Sequence, residues 1–194
     1  MATNFRHYRA LAQQLSKHID ADTQAALLAG MDHVRNSSKP EAKADWAREM
    51  MRRMDETLPP ETRISIREGC ACLLSNEKSI YARTFRKLRR LHPDDDRYLD
   101  AVVAYLNGTT PLHRCGGVTR DGVKITSVIA HGACSCSALR EGLREPISVT
   151  WCHCCKGSLL SAYKHVFPDR TCAMEIIGTV ATGAEECCFV TEYR

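Results

Sequence analysis

The chain has 194 residues, of which 44% are hydrophobic and 26% are charged. This composition is that of a globular protein, and it excludes a disordered, collagen-like or low-complexity chain. The 27 basic and 23 acidic residues give a net charge of +4, spread along the chain. Such a small surplus gives no case for a nucleic acid or a membrane surface as partner.

The first 107 residues predict a series of amphipathic helices, because apolar residues recur there at spacings of three and four. One example is the stripe of Trp46, Met50 and Met54, which follows a capping box made by Ser38 and Glu41. We divide the chain into a helical region, residues 1–111, and a cysteine-rich α+β region, residues 112–194, which together form one integrated domain.

Beyond residue 111 the apolar period changes from 3.6 to 2, which indicates strands. The predicted elements are a hairpin over residues 112–131, a strand over 147–151, a helix over 156–167, and a second hairpin formed by 172–180 and 186–193. The hairpins turn at Arg120-Asp121-Gly122 and at Thr182-Gly183-Ala184. We therefore expect an α+β fold in which the N-terminal helices pack with a C-terminal antiparallel sheet and one crossing helix.

The 11 cysteines are the unusual feature of the composition. The first residues, MATNFRHYRALAQQL, lack the apolar core of a signal peptide, and no run approaches the roughly 18 apolar residues of a membrane span. We therefore expect a cytosolic protein. In a reducing compartment, clustered cysteines are more often metal ligands or catalytic thiols than disulfides.

Two C-x-C units predict a metal site. If residues 134–136 and 152–154 are extended, Cys134 and Cys136 point to one face, and so do Cys152 and Cys154. Four thiolates on neighbouring segments suit a tetrahedral zinc ion, or alternatively an iron–sulfur cluster. Cys70 or Cys72, from the helical region, could replace one of the four ligands, and Cys70 is the preferred substitute. Packing of these cysteines as small apolar side chains is the competing interpretation.

Three further residues are candidates for catalysis. Cys155 precedes the predicted helix, and a helix N-terminus lowers the pKa of a thiol, so Cys155 or Cys154 is the candidate nucleophile. His153 and His131 are candidate proton carriers. We expect the remaining cysteines, Cys115, Cys172, Cys187 and Cys188, to be core residues, and the basic cluster of residues 83–90 to be a solvated helix face.

The cysteine-rich region also resembles a known family. The residues that carry the resemblance are Cys134-Ser-Cys136, Trp151-Cys152-His-Cys154-Cys155-Lys-Gly157, and the tail of residues 175–190 with Gly183 and Cys187-Cys188-Phe189. They are similar in layout to a cysteine-rich bacterial family of unknown function, to L-2-amino-thiazoline-4-carboxylic acid hydrolases and to 4-vinyl reductase-type domains. The resemblance implies an α+β ligand-binding fold with helices on one side of an antiparallel sheet, and we assign no catalytic residue from it.

Three hypotheses of function follow. The first is a zinc-binding protein with a small-molecule pocket, acting as a metal- or thiol-dependent hydrolase of a small C–N or C–S compound. The second is a non-catalytic ligand-sensing module with a structural metal site. The third is an iron–sulfur or thiol redox protein that uses Cys154 or Cys155.

Overall fold

A computed structural model describes residues 6–109 and 117–194 of the chain. Within these residues the protein forms seven α-helices and four β-strands, which confirms the α+β class. The helices are α1 (Arg6–Leu15), α2 (Ala21–Leu27), α3 (Pro40–Thr57), α4 (Pro60–Gly69), α5 (Ile80–Leu91), α6 (Asp95–Thr109) and α7 (His153–Tyr163). The strands are β1 (Val118–Asp121), β2 (Lys124–His131), β3 (Cys172–Gly178) and β4 (Glu186–Tyr193).

The four strands form one sheet in the order β1-β2-β4-β3, and every neighbouring pair is antiparallel. Both predicted hairpins are therefore confirmed. The turn between β1 and β2 contains Gly122 with φ 55°, a left-handed conformation that glycine adopts at low cost. The predicted start of the first hairpin, residues 112–116, lies outside the described residues.

The start of α3 differs from the predicted capping box. The N-cap residue is Lys39, which makes no capping hydrogen bond, and Pro40 begins the helix. The Ser38 hydroxyl instead accepts a hydrogen bond from the Arg35 backbone N–H at 2.9 Å. The prediction was wrong because the fixed φ of a proline in the first turn starts a helix without a side-chain cap.

The predicted strand over residues 147–151 is also wrong. A 3₁₀ turn over Val149–Cys152 stands there and continues directly into α7, so α7 begins three residues before the predicted Lys156. Val149, Thr150 and Trp151 have high strand propensity. The Ser148 hydroxyl overrides it, because it accepts a hydrogen bond from the Thr150 N–H and caps a helical turn.

The chain divides into two compact units, each built from discontinuous segments. The first, which we call the thiol unit, comprises the residues up to Cys72, then Cys134–Gly157 and Ala181–Gly183. The second, the sheet unit, comprises Leu73–Ala133, Ser158–Val180 and Ala184–Arg194, and contains all four strands.

Each unit has its own aromatic core. In the thiol unit, the Tyr8 ring lies 4.1 Å from the Trp46 ring and meets the Trp151 ring edge-on at 6.4 Å. In the sheet unit, the Phe167 ring packs edge-on against Tyr98 and Tyr193. Edge-to-face pairs of this kind add to the stabilisation that burial of aromatic area provides.

Candidate thiol site around a buried arginine

The thiol unit contains a buried cation. Arg67, on α4, is only 2% exposed. Its Nη2 donates a hydrogen bond to the Trp151 carbonyl oxygen at 2.8 Å, and its Cζ lies 4.3 Å from the Trp151 ring centroid. Among the described residues, Arg67 has no carboxylate within ion-pair distance, and its Nε has no hydrogen-bond partner. Since arginine keeps its charge in proteins, this buried guanidinium requires a counter-charge of another kind.

The Cys154 thiolate provides that counter-charge, whereas burial raises the pKa of Cys70 and Cys136 and favours their neutral form. Burial is the largest influence on Arg67 and lowers its pKa, but the charges of nearby cysteines outweigh burial and leave the pKa raised. In decreasing order of effect, these cysteines are Cys154, Cys70, Cys136 and Cys152. Arg67 also hydrogen-bonds to the Cys70 sulfur, and the Cys70 thiol donates to the Ile66 carbonyl oxygen at 3.2 Å.

Cys154 has a lowered pKa, so its thiolate form is favoured. Hydrogen bonds from the Cys155 and Cys72 thiols lower its pKa well below the usual value, and the charges of Arg67 and His7 lower it further, against the opposing effect of burial. The same hydrogen bonds raise the pKa of Cys155 and of Cys72, because each thiol donates its proton towards Cys154. The three sulfurs therefore act as one group, a thiolate held between two thiols.

A close approach of two helices positions this group. Gly157, at the end of the thiol unit's part of α7, faces the backbone of α4. A Cβ at this position would lie 2.3 Å from the Glu68 carbonyl oxygen, a distance that a real Cβ does not reach. Only glycine therefore lets the first turns of α7, which carry Cys154 and Cys155, lie directly against the end of α4.

His7 belongs to the site, although no sequence motif marks it. Its Nδ1 lies 3.5 Å from the Cys72 sulfur, and its Nε2 lies 3.0 Å from the Ser137 hydroxyl oxygen. His7 stands in α1, 65 residues before Cys72, and a single histidine in an amphipathic helix has no spacing that marks it as functional.

The two histidines predicted to carry protons have carboxylate partners. The His153 Nδ1 lies 3.7 Å from Glu68 Oε1, and the Lys156 Nζ lies 2.8 Å from the same oxygen. Burial raises the pKa of Glu68, but the close approach of His153 and Lys156 outweighs burial and lowers that pKa. His131 ends β2 in the sheet unit, where its exposed ring lies 3.5 Å from Glu185.

The expected geometry of the second C-x-C unit is wrong. Cys152 ends the 3₁₀ turn and Cys154 lies in the first turn of α7. Successive helical residues rotate by about 100°, so these two side chains point about 200° apart rather than to one face. The Cys134 and Cys136 pair lies in a loop, with Cys134 buried.

Four of the five predicted metal ligands, Cys70, Cys136, Cys152 and Cys154, lie close enough to Arg67 to raise its pKa. Within residues 6–109 and 117–194, however, no group of three or more His, Cys, Asp or Glu side chains is arranged to hold a metal ion. The zinc and iron–sulfur hypotheses therefore stay predictions. Cys115 lies outside the described residues.

The cysteines of the sheet unit have a different environment. Cys172, Cys187 and Cys188 lie on β3 and β4. Burial raises the pKa of each, to about 11 for Cys172. These thiols are held in their neutral form, as expected for core residues.

No protein-family model matches the chain, and a search of curated proteins found no matching sequence. The family resemblance therefore stays a prediction, and the function is argued from the site itself. In the part of the chain that the structure describes, no helix is both long enough and apolar enough to cross a membrane.

Proposed function

We propose that the protein is a thiol redox protein in which the Cys154 thiolate attacks a disulfide and Cys72 resolves the product. The observation that carries this proposal is the contact of the Cys154 sulfur with two further cysteine thiols, beside a buried guanidinium that has no carboxylate partner among the described residues. A thiolate with a second thiol in contact is the arrangement that dithiol–disulfide exchange requires.

Backbone geometry selects Cys72 as the resolving thiol. Cys154 and Cys155 are neighbours in a helix, where consecutive Cα atoms lie about 3.8 Å apart. A disulfide usually joins Cα atoms about 4.4–6.8 Å apart, so this adjacent pair cannot close without distorting α7. Cys72 lies beyond the end of α4, outside any helix. The Cys155 thiol then serves as a hydrogen-bond donor that stabilises the thiolate.

The reaction has two balanced steps. The Cys154 thiolate attacks one sulfur of a small disulfide, so that a mixed disulfide forms and the other half leaves as a thiolate. Cys72 then loses its proton to the His7 ring or to solvent and attacks the Cys154 sulfur, which releases the second half. One disulfide is reduced to two thiols, and Cys72 and Cys154 are oxidised to a disulfide, which a cellular dithiol reduces again. A cytosolic location is part of the proposal, because that compartment supplies such dithiols.

The test uses hydroxyethyl disulfide, a small model disulfide, and follows the release of mercaptoethanol. Cys154→Ser should abolish exchange, because the attacking sulfur is gone. Cys72→Ser should stop at a stable mixed disulfide on Cys154, which intact-mass measurement detects as the added mercaptoethanol group. Cys188→Ser, a matched loss of a partly exposed cysteine in the sheet unit, should exchange like the wild type. Exchange at the wild-type rate by Cys154→Ser would overturn the proposal.

A hydrolase of a small C–N or C–S compound would use the same nucleophile. Hydrolysis needs no resolving cysteine, so a Cys72→Ser variant that turns over repeatedly without trapping a mixed disulfide would favour this activity over redox chemistry.

Zinc binding by the same cluster is a second candidate. Its support is the donor chemistry, since thiolates and an imidazole are the ligands that zinc prefers, and the His7 Nδ1 lies near Cys72. Metal analysis of protein purified anaerobically without a His tag tests it, and less than about a tenth of an equivalent of metal would exclude a resident site. An iron–sulfur cluster would show in the same analysis as iron.

A further inference from the structure

The sheet unit contains a cavity of about 280 Å³, close to the lower end of the range for small-molecule pockets. Its lining includes Arg86, Arg89, Arg90, Phe85, Tyr98 and His165. Among these described residues, none carries a carboxylate and three carry a guanidinium. This cavity shares no lining residue with the thiol site.

Two of the lining residues have a buried nitrogen without a partner. His165 is only 6% exposed; its Nδ1 lies 3.2 Å from Glu77 Oε1, while its Nε2 has no hydrogen-bond partner among the described residues. Arg89 Nη2 binds Asp95 Oδ1 at 2.7 Å, while its Nη1 is buried and equally unpartnered within residues 6–109 and 117–194. Buried polar groups are rarely left unpaired, so two such nitrogens in one cavity lining point to a missing acceptor.

Positive charge exceeds negative charge around the cavity. Asp95 forms an ion pair with Arg170 at 2.6 Å and another with Arg89, so one carboxylate neutralises two guanidinium groups only in part. Glu77 likewise serves both Arg86, at 3.1 Å, and His165. The remaining positive charge favours an anionic ligand.

Two aromatic side chains, Phe85 and Tyr98, form part of the lining. The side chains of Phe85 and Tyr98 are fully buried, and the Tyr98 hydroxyl donates to the Val166 carbonyl oxygen at 2.7 Å, which holds its ring in place. The Arg89 Cζ lies 5.0 Å from the Tyr98 ring centroid, so the cation and the aromatic surface are adjacent. Such a wall suits an aromatic ring.

From these observations we infer that the cavity binds a small aromatic oxyanion, an aryl carboxylate or an aryl phosphate. The oxyanion accepts hydrogen bonds from Arg89 Nη1 and from His165 Nε2, whose ring Glu77 orients, and the aromatic ring packs against Phe85 and Tyr98. A planar guanidinium with a second donor is a common recognition element for either anion. Arg89, one residue of the basic cluster 83–90 that we predicted to be a solvated helix face, therefore has a binding role.

The experiment is calorimetric titration of the full-length chain with benzoate, phenyl phosphate and benzyl alcohol. At least one anion should bind at least tenfold more tightly than neutral benzyl alcohol, and the tighter anion identifies the oxyanion class. Arg89→Gln and His165→Gln should each weaken that binding by roughly tenfold, the effect of losing one hydrogen bond to a charged group. Circular dichroism checks that each variant is folded.

Arg83→Gln is the matched control, because Arg83 is an exposed arginine on the same helix and lies outside the cavity lining. It should bind the anion like the wild type. Equal affinity for the anions and benzyl alcohol would overturn the inference, and so would equal weakening by Arg83→Gln and Arg89→Gln. If Arg89→Gln does not fold, His165→Gln is the decisive variant. Unchanged affinity of His165→Gln for the anion would then overturn the inference.

Discussion

Cys154 of the thiol unit and Cys187 of the sheet unit are almost equally buried and have opposite acid–base properties. Cys187, on β4, is 5% exposed, and burial raises the pKa of its thiol. Cys154 is 3% exposed, yet its pKa is lowered, because two thiols and a guanidinium surround its sulfur. Burial by itself therefore keeps a cysteine neutral, and hydrogen-bond donors with a nearby cation are needed to ionise it.

The largest expected effect, on stability and reactivity together, comes from removing the cation. Arg67→Met should slow the reaction of Cys154 with iodoacetamide at pH 7 several-fold, because the charge of Arg67 adds to the hydrogen bonds from Cys155 and Cys72 in lowering the pKa of Cys154. The free energy of unfolding should fall by about 2–4 kcal/mol, since the Trp151 carbonyl loses its buried donor. Labelling kinetics and denaturant unfolding measure the two effects.

Arg53→Met is the control for this change. Arg53 also donates to backbone carbonyl oxygens, those of Ala26 and Ala29, but in a partly exposed position on α3. It should leave the labelling rate of Cys154 unchanged. If both variants label alike, the buried guanidinium does not stabilise the thiolate.

A smaller effect is expected from the neighbouring thiol. Cys155→Ala removes the hydrogen bond that contributes most to the lowered pKa of Cys154, so labelling at pH 7 should slow several-fold. Cys155→Ser keeps a donor of similar size and should label faster than the alanine variant. Equal rates in the two variants would show that the hydrogen bond contributes nothing, and mass spectrometry of the Cys154 peptide provides the measurement.

The smallest effect is a difference in how stability depends on pH. The lowered pKa of Cys154 means that its contribution is present above the unfolded-state pKa of about 8.5 and is lost as the pH falls through the folded-state pKa. Burial raises the pKa of Cys172 to about 11, so its contribution is present below pH of about 8.5 and is lost as the pH rises towards 11.

The measurement is the free energy of unfolding of the wild type minus that of each serine variant. For Cys154→Ser this difference should grow between pH 6 and pH 9, whereas for Cys172→Ser it should shrink between pH 9 and pH 11. Slopes of the same sign for the two cysteines would contradict the contrast between the units.

Local sequence patterns predicted most of the helices and strands. The period of two that places Ile125, Ser127 and Ile129 on one face predicted β2, and the Gly122 and Gly183 turns predicted the two hairpins. The strand predicted over residues 147–151 is absent, because the Ser148 side-chain cap and tertiary contacts together outweigh the strand propensity of these residues.

The site was only partly predictable. The concentration of cysteines drew attention to Cys154 and its neighbours, but the expected sulfur geometry assumed a strand where the chain is helical. Arg67 and His7 were missed, because their roles come from contacts with residues at least 65 positions away and nothing in the sequence marks an arginine as buried. Long-range packing of this kind has no periodicity to detect.

The most direct measurement of the central claim is labelling of the native full-length protein at pH 7 with less than one equivalent of iodoacetamide, followed by peptide mass spectrometry. We expect Cys154 to be modified first, although it is less exposed than Cys188. Modification of Cys188 or Cys172 before Cys154 would contradict it, because exposure rather than ionisation would then control thiol reactivity in this protein.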